Sequence, residues 1–132
     1  MFLQDLIRSA LTDLRSLSSR VIALSLFSAN EALEDISTRD LVYLLVPYVF
    51  AQLEGRVKAV ERDERMGHLG VAQRCLRTFV DTLDHYEIVP TADRKLHQTK
   101  SSDVRDPAKR RELKIKQYQK EKELRTRTEV YL

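Results

Sequence analysis

The sequence predicts an all-α protein, an antiparallel helix stack followed by a strongly basic C-terminal helix. Three observations carry this. Apolar residues recur at three- and four-residue steps over several long stretches. Three glycines and three prolines in 132 residues leave little turn chemistry for a multistranded sheet. Charge also separates along the chain: residues 1–90 carry ten basic and thirteen acidic groups, and residues 91–132 carry thirteen and seven. The organisation expected is a helical core over 1–90, a flexible linker over 91–105 and a basic partner-binding helix over 106–132.

The first helix is predicted over about 3–24, where Leu3, Leu6, Ile7, Ala10, Leu11, Leu14, Leu17, Val21 and Leu24 form one apolar stripe. Ser28-Ala29-Asn30-Glu31 has the spacing of a capping box, in which hydroxyl and carboxylate satisfy each other's backbone donors, and predicts a short helix over 29–36. Ser37-Thr38-Arg39-Asp40 is a second start signal, for a helix over 38–54. That stretch is the most apolar in the chain. Its length and Pro47 speak against a central strand; in a helix Pro47 removes one hydrogen bond and predicts a kink. Being apolar nearly all round, it belongs in the middle of the stack. A charged connection leads to a third long helix over 63–86, with Met66, Leu69, Leu76, Phe79, Val80 and Leu83 read as its inward side. Gly67 and Gly70 near its start permit either a close neighbour or fraying. Ile88-Val89-Pro90 ends it, and the polar residues 91–105 read as a mobile linker.

A single cysteine, Cys75, excludes an internal disulfide and suits a reducing compartment. No apolar run approaches the roughly 20 residues that span a bilayer, and the N-terminal stretch is broken by charges that a signal-peptide core would not tolerate. A cytoplasmic or nucleocytoplasmic protein is expected. His68, His85 and His97 have no second histidine or cysteine at ligand spacing, so no metal site is expected. Asp81, Asp84 and Glu87 fit a solvated helix face better than paired catalytic carboxylates. Cys75 has Arg74 and Arg77 near it in sequence, but a small packed thiol is the commoner outcome. With no phosphate-cradling glycine loop and no nucleophile elbow, the residues give no argument for an enzyme or a cofactor.

The basic helix is the most informative element. Asp106-Pro107 is an N-cap followed by the residue suited to the first helical position. From Arg105 to Arg127 ten Lys/Arg stand against four acids. Wound at about 100° per residue, Arg111, Lys114, Ile115, Tyr118, Lys122 and Arg125 fall in one sector of roughly 100°, a basic stripe about 20 Å long. Ile115 and Tyr118 serve equally well to seat this helix on a neighbour or to meet a partner. A phosphate backbone and an acidic protein surface would both satisfy the charges. The net acidic remainder of the chain and the absence of a nucleic-acid motif favour the protein, with a helical nucleic-acid-binding module as the alternative.

Residue identities add to this reading. Leu26-Phe27-Ser28-Ala29-Asn30-Glu31-Ala32-Leu33-Glu34-Asp35-Ile36, followed by Asp40-Leu41-Val42-Tyr43-Leu44-Leu45-Val46-Pro47, resembles the signature of the type 2A phosphatase-associated protein family, which includes the TOR-pathway regulator of fungi and its animal relative, immunoglobulin-binding protein. Arg105-Asp106-Pro107, then Arg111, Lys114-Ile115, Tyr118 and Lys122-Glu123-Leu124, is similar to a second element of the family. The resemblance implies a tetratricopeptide-like scaffold without cofactor or catalytic activity. It also implies binding to the catalytic subunits of type 2A, 4 and 6 protein phosphatases and coupling to TOR signalling. Arg111 and Lys114 match the family's phosphatase contact, and Tyr118, Lys122 and Arg125 extend that sector as expected partner-binding residues. Family members carry a helix ahead of the one at Leu3 and continue past the basic helix. The first apolar stripe is therefore expected to be partly uncovered, with lower stability or self-association as the consequence.

Overall fold

A computed structural model describes residues 2–131; Met1 and Leu132, the last residue of the basic segment, lie outside the described residues. The described chain is helical, with α1 Phe2–Ala23, α2 Val46–Glu54, α3 Arg62–His85, α4 Thr91–Gln98 and α5 Pro107–Tyr131. It divides into two compact units, Met1–Ile88 and Val89–Leu132.

In the first unit α2 packs against both α1 and α3. Ile7 and Leu11, early in α1, meet Phe50, Leu53 and Val57 at the far end of α2, so these two helices run antiparallel. Glu54 at the end of α2 meets His68 near the start of α3, whereas Tyr48 stacks on Phe79 with ring centroids 5.4 Å apart, so α2 and α3 are antiparallel too. Gln4 closes the lower end: its amide donates to the Arg56 carbonyl and its oxygen accepts from the Lys58 N–H. A second apolar cluster joins Ile36, Leu44 and Tyr86, with Phe27, Leu33 and Leu41 against it. The residues that carry the family signature are thus the core of this end of the unit.

Four expectations are corrected. No α-helix spans 29–36. Ser28 Oγ accepts from the Asn30 N–H in a tight turn, and the carboxylate that closes back on the chain is Asp35, on the Ala32 N–H at 2.8 Å, around a single 3₁₀ turn, Leu33–Asp35. Short segments rich in Ser, Asn and Asp offer the backbone these local bonds in place of a costly helix nucleus. Pro47 does not kink a helix over 38–54. A 3₁₀ segment, Leu41–Leu45, precedes it, and α2 starts at Val46 with Pro47 in its first turn, where no N–H is needed. The linker expected over 91–105 instead holds α4 and a 3₁₀ turn, Ser101–Asp103. The inward side of α3 is also rotated from the expected one. Met66, Leu69, Leu76 and Val80 are exposed, while Arg65, His68, Ala72, Cys75, Phe79 and Thr82 turn inward, a stripe displaced by roughly 60–80°.

Polar pairing decides that rotation. Glu54 is 2 % exposed, and its carboxylate lies 2.6 Å from His68 Nδ1 and 3.4 Å from Arg15. Arg65 donates to the carbonyls of Gly55 and Val57, just past the end of α2. A buried carboxylate must be paired, so α3 presents its polar stripe to α2 and leaves aliphatic groups outside. Gly67 and Gly70 serve no close approach: a methyl group at Gly67 would meet nothing within 4 Å, and at Gly70 only the flexible end of Arg74. Both α1 and α3 end with a non-glycine residue in the left-handed region, Ser25 (φ 50°) and Glu87 (φ 53°). The following N–H groups, of Leu26 and Ile88, bond back to Val21 and Leu83 and close the last turns.

Candidate partner-binding site on the basic helix

The second unit is built around α5. Asp106 caps it by accepting from the Ala108 N–H at 3.0 Å, and Pro107 follows as the sequence predicts. One side of α5 is occupied by the segment before it. Arg110 donates twice to the Val104 carbonyl, at 3.0 and 2.8 Å. Gln117 donates to the carbonyls of Leu96 and Thr99 and so satisfies the open end of α4, while Lys120 pairs with Asp93 at 3.4 Å. Arg110, Leu113, Gln117 and Lys120 are the half-buried residues of α5, and they fall on one face at helical spacing.

The expected site residues lie elsewhere on the helix. Arg111, Lys114, Tyr118, Lys122 and Arg125 are all exposed, centred roughly 130° around the axis from the seated face. Tyr118 is 65 % exposed and Ile115, within the same sector, 47 %. Three other cations of the helix are paired locally, Lys116 with Glu112, Arg127 with Glu123, and Lys120 with Glu123 as well as Asp93, whereas Lys109 lies off this sector without an acid within 4.0 Å among the described residues. Among the described residues Arg111, Lys114, Lys122 and Arg125 have no acid within 4.0 Å. Four uncompensated cations thus share one face with an exposed phenol and an exposed aliphatic side chain. Such a face has charge to offer an anionic partner, and apolar contact at its centre to desolvate some of it.

Three features of this unit were not read from the sequence. Gln117 looked like one more polar residue; only the helical form of 91–98 gives its amide something to cap. Arg110 is one of the ten basic residues of the segment, and nothing in the sequence shows that its guanidinium is engaged by the Val104 carbonyl. Glu129 falls at the angular position of Arg111, five turns on, and ends the basic stripe after Arg125; winding the helix to its end would have shown this. Elsewhere, Cys75 is half-buried, and burial followed by the nearby Glu54 carboxylate pushes its thiol above the ordinary 9.0 despite Arg74. Among the described residues no three His, Cys, Asp or Glu side chains converge on a point, and no helix is long and apolar enough to cross a membrane.

Comparison with known proteins bears on what this geometry is for. The TAP42-like family matches residues 2–131, nearly the whole chain. The chain belongs to the TAP42-like family. Among curated relatives it is similar to proteins named PP2A regulatory subunit TAP46. That of Arabidopsis thaliana is 32% identical over 119 residues, and that of Oryza sativa subsp. japonica 32% identical over 124. The Nicotiana tabacum protein is 31% identical over 119 residues. These alignments cover 90–94% of this chain but 28% of each relative, so the TAP42-like chain spans rather more than a quarter of the length of the curated relatives it matches. No solved structure matches it.

Proposed function

We propose that this chain is a non-catalytic regulatory adaptor that binds the catalytic subunits of type 2A-like Ser/Thr protein phosphatases. The observation that carries the reading is the open sector of α5, where Arg111 and Lys114 stand exposed without acidic partners beside Tyr118. The names of the relatives, regulatory subunits of PP2A, support it. In this reading Arg111 and Lys114 donate charge to an acidic surface of the phosphatase, Lys122 and Arg125 extend the contact by about two and three turns, and Tyr118 packs at its centre. Type 4 and type 6 catalytic subunits are further partners, TOR signalling is the pathway served, and the cytoplasm, with access to the nucleus, is the place of action.

The test is a pull-down of the catalytic subunit with the Arg111→Glu/Lys114→Glu double variant. Loss of binding by a variant whose helical circular dichroism is unchanged is expected; full retention would sink the site assignment. The alternative, a nucleic-acid-binding module, draws on the same unpaired cations. It predicts duplex or single-stranded DNA binding that falls steeply with salt, by a log–log slope of roughly −3 to −4 for about four phosphates. A phosphatase adaptor shows no such binding at physiological salt.

A further inference from the structure

The first unit contains a groove that the basic helix does not explain. α2 is nine residues long, whereas its flanking partners have 22 and 24. Because Pro47 starts α2 late, α1 and α3 run on past its beginning and stand as two walls, with Phe27 and with Tyr43 and Leu44 of the preceding 3₁₀ segment lining the opening between them. The opening consists of two adjoining lobes, of about 350 and 390 Å³, which share Ser18, Val46, Pro47 and Thr78. One lobe is apolar, walled by Val21, Ile22 and Phe27. The other is floored by Phe50 and carries two arginines, Arg15 on α1 and Arg74 on α3. Among the described residues no acidic side chain lines either lobe.

The two arginines differ in what holds them. Arg15 lies over the Phe50 ring, 5.8 Å from its centroid, with a single 3.4 Å contact to Glu54, and its side chain is 60 % exposed, so donors remain for a ligand. Arg74 is exposed and has no ion pair among the described residues. The hydroxyls of Ser18 and Thr78, which border both lobes, make no hydrogen bond as donors within the described residues. From Arg15 to Ile22 and from Arg74 to Thr82 the walls extend about 10–12 Å, the length of two helical turns.

We propose that this groove docks an acidic amphipathic helix of a partner protein. Two aliphatic side chains four residues apart seat against Val46, Pro47 and Phe50, and a carboxylate on the next turn lies between Arg15 and Arg74. The charge at one end requires an anionic occupant, and the apolar floor requires an aliphatic or aromatic one. A fatty carboxylate has both parts but a single charge, whereas a helix can set two carboxylates on one turn against Arg15 and Arg74. The proposal uses no residue of α5 and stands or falls separately from the phosphatase contact.

Fluorescence polarisation with the full chain tests it. The probe is a labelled, end-blocked, alanine-based 14-residue peptide with leucines four apart and two glutamates on the following turn. Saturable binding with Kd below about 1 mM is expected. Replacing the glutamates by lysines, or introducing Arg74→Glu, weakens binding by about tenfold, the effect of turning an exposed attraction into a repulsion. The Arg74→Glu protein binds the lysine peptide better than the wild type does, a rescue that a folding defect cannot produce. Ile22→Asp, on an exposed wall residue, removes the dependence on leucine. No saturable binding, equal binding of the acidic and basic peptides, or dodecanoate binding where the acidic peptide does not would overturn the proposal.

Discussion

At the scale of single residues Glu54 is the most constrained polar group among the described residues. Its carboxylate is buried at the junction of three helices and faces His68 and Arg15. Arg15 is largely solvated, so its share is small; the short contact to His68 supplies most of the interaction. Glu54→Ala leaves both partners uncompensated and opens a cavity, and is expected to cost about 3 kcal/mol in urea unfolding. Glu54→Gln, which keeps the shape and a hydrogen-bonding group, is expected to cost less. Equal costs would mean that the charge itself, rather than shape or a retained hydrogen-bonding group, decides the site. Tyr86 gives a pH dependence with a definite sign. It is buried, its hydroxyl donates to the Ser28 carbonyl at 3.3 Å, and burial followed by the Glu31 carboxylate raises its phenol above the ordinary 10.0. The folded state therefore favours the neutral phenol: this contribution is complete below pH 10.0 and is lost as the pH climbs beyond it. Tyr86→Phe should lower stability by about 1 kcal/mol at neutral pH, and should fall less than the wild type between about pH 9 and 11. Parallel curves would refute that role.

At the scale of elements, α1, α3 and α5 were legible because long amphipathic or well-capped segments declare themselves: the expected bounds 3–24 and 63–86 lie within one residue of the helices found. The stretch between α1 and α2 was not. Its capping signals were real as local bonds, but Ser28 and Asp35 use them to fold turns over Ile36 and Leu44 rather than to start helices. The face of α3 was misread because hydrophobic pattern alone cannot register a buried carboxylate on a neighbouring helix. Glu54 selects His68 and Arg65, and the leucines follow outward. Gly67 tests this account of α3. It sits in the helix with open space where a side chain would be, so Gly67→Ala is expected to raise stability by about 0.5–1 kcal/mol in thermal unfolding. A loss would mean that the glycine accommodates a neighbour after all. For α5, the cap and the charged face could be read from spacing. What holds the opposite face could not, because the caps supplied by Gln117 and Arg110 depend on a helix and turn in residues 91–105 that weak patterning concealed.

At the scale of the whole molecule the chain is a small helical unit and a basic helical unit, and its candidate binding surface follows from a division of labour within one helix. α5 turns Arg110, Gln117 and Lys120 to internal partners and leaves Arg111, Lys114, Lys122 and Arg125 without an ion pair among the described residues. In the reading proposed above, that face meets a type 2A catalytic subunit, with Arg111 and Lys114 as its charge donors. The direct measurement is the affinity of the purified type 2A catalytic subunit for the wild type, for Arg111→Glu/Lys114→Glu and for Gln117→Ala, by biolayer interferometry at physiological salt. The double reversal is expected to weaken binding by at least about 30-fold, corresponding to roughly 2 kcal/mol for an interfacial charge contact, with its helical content intact. Gln117→Ala, on the seated face, should change it far less. A folded double variant that binds within about twofold of the wild type would contradict the account.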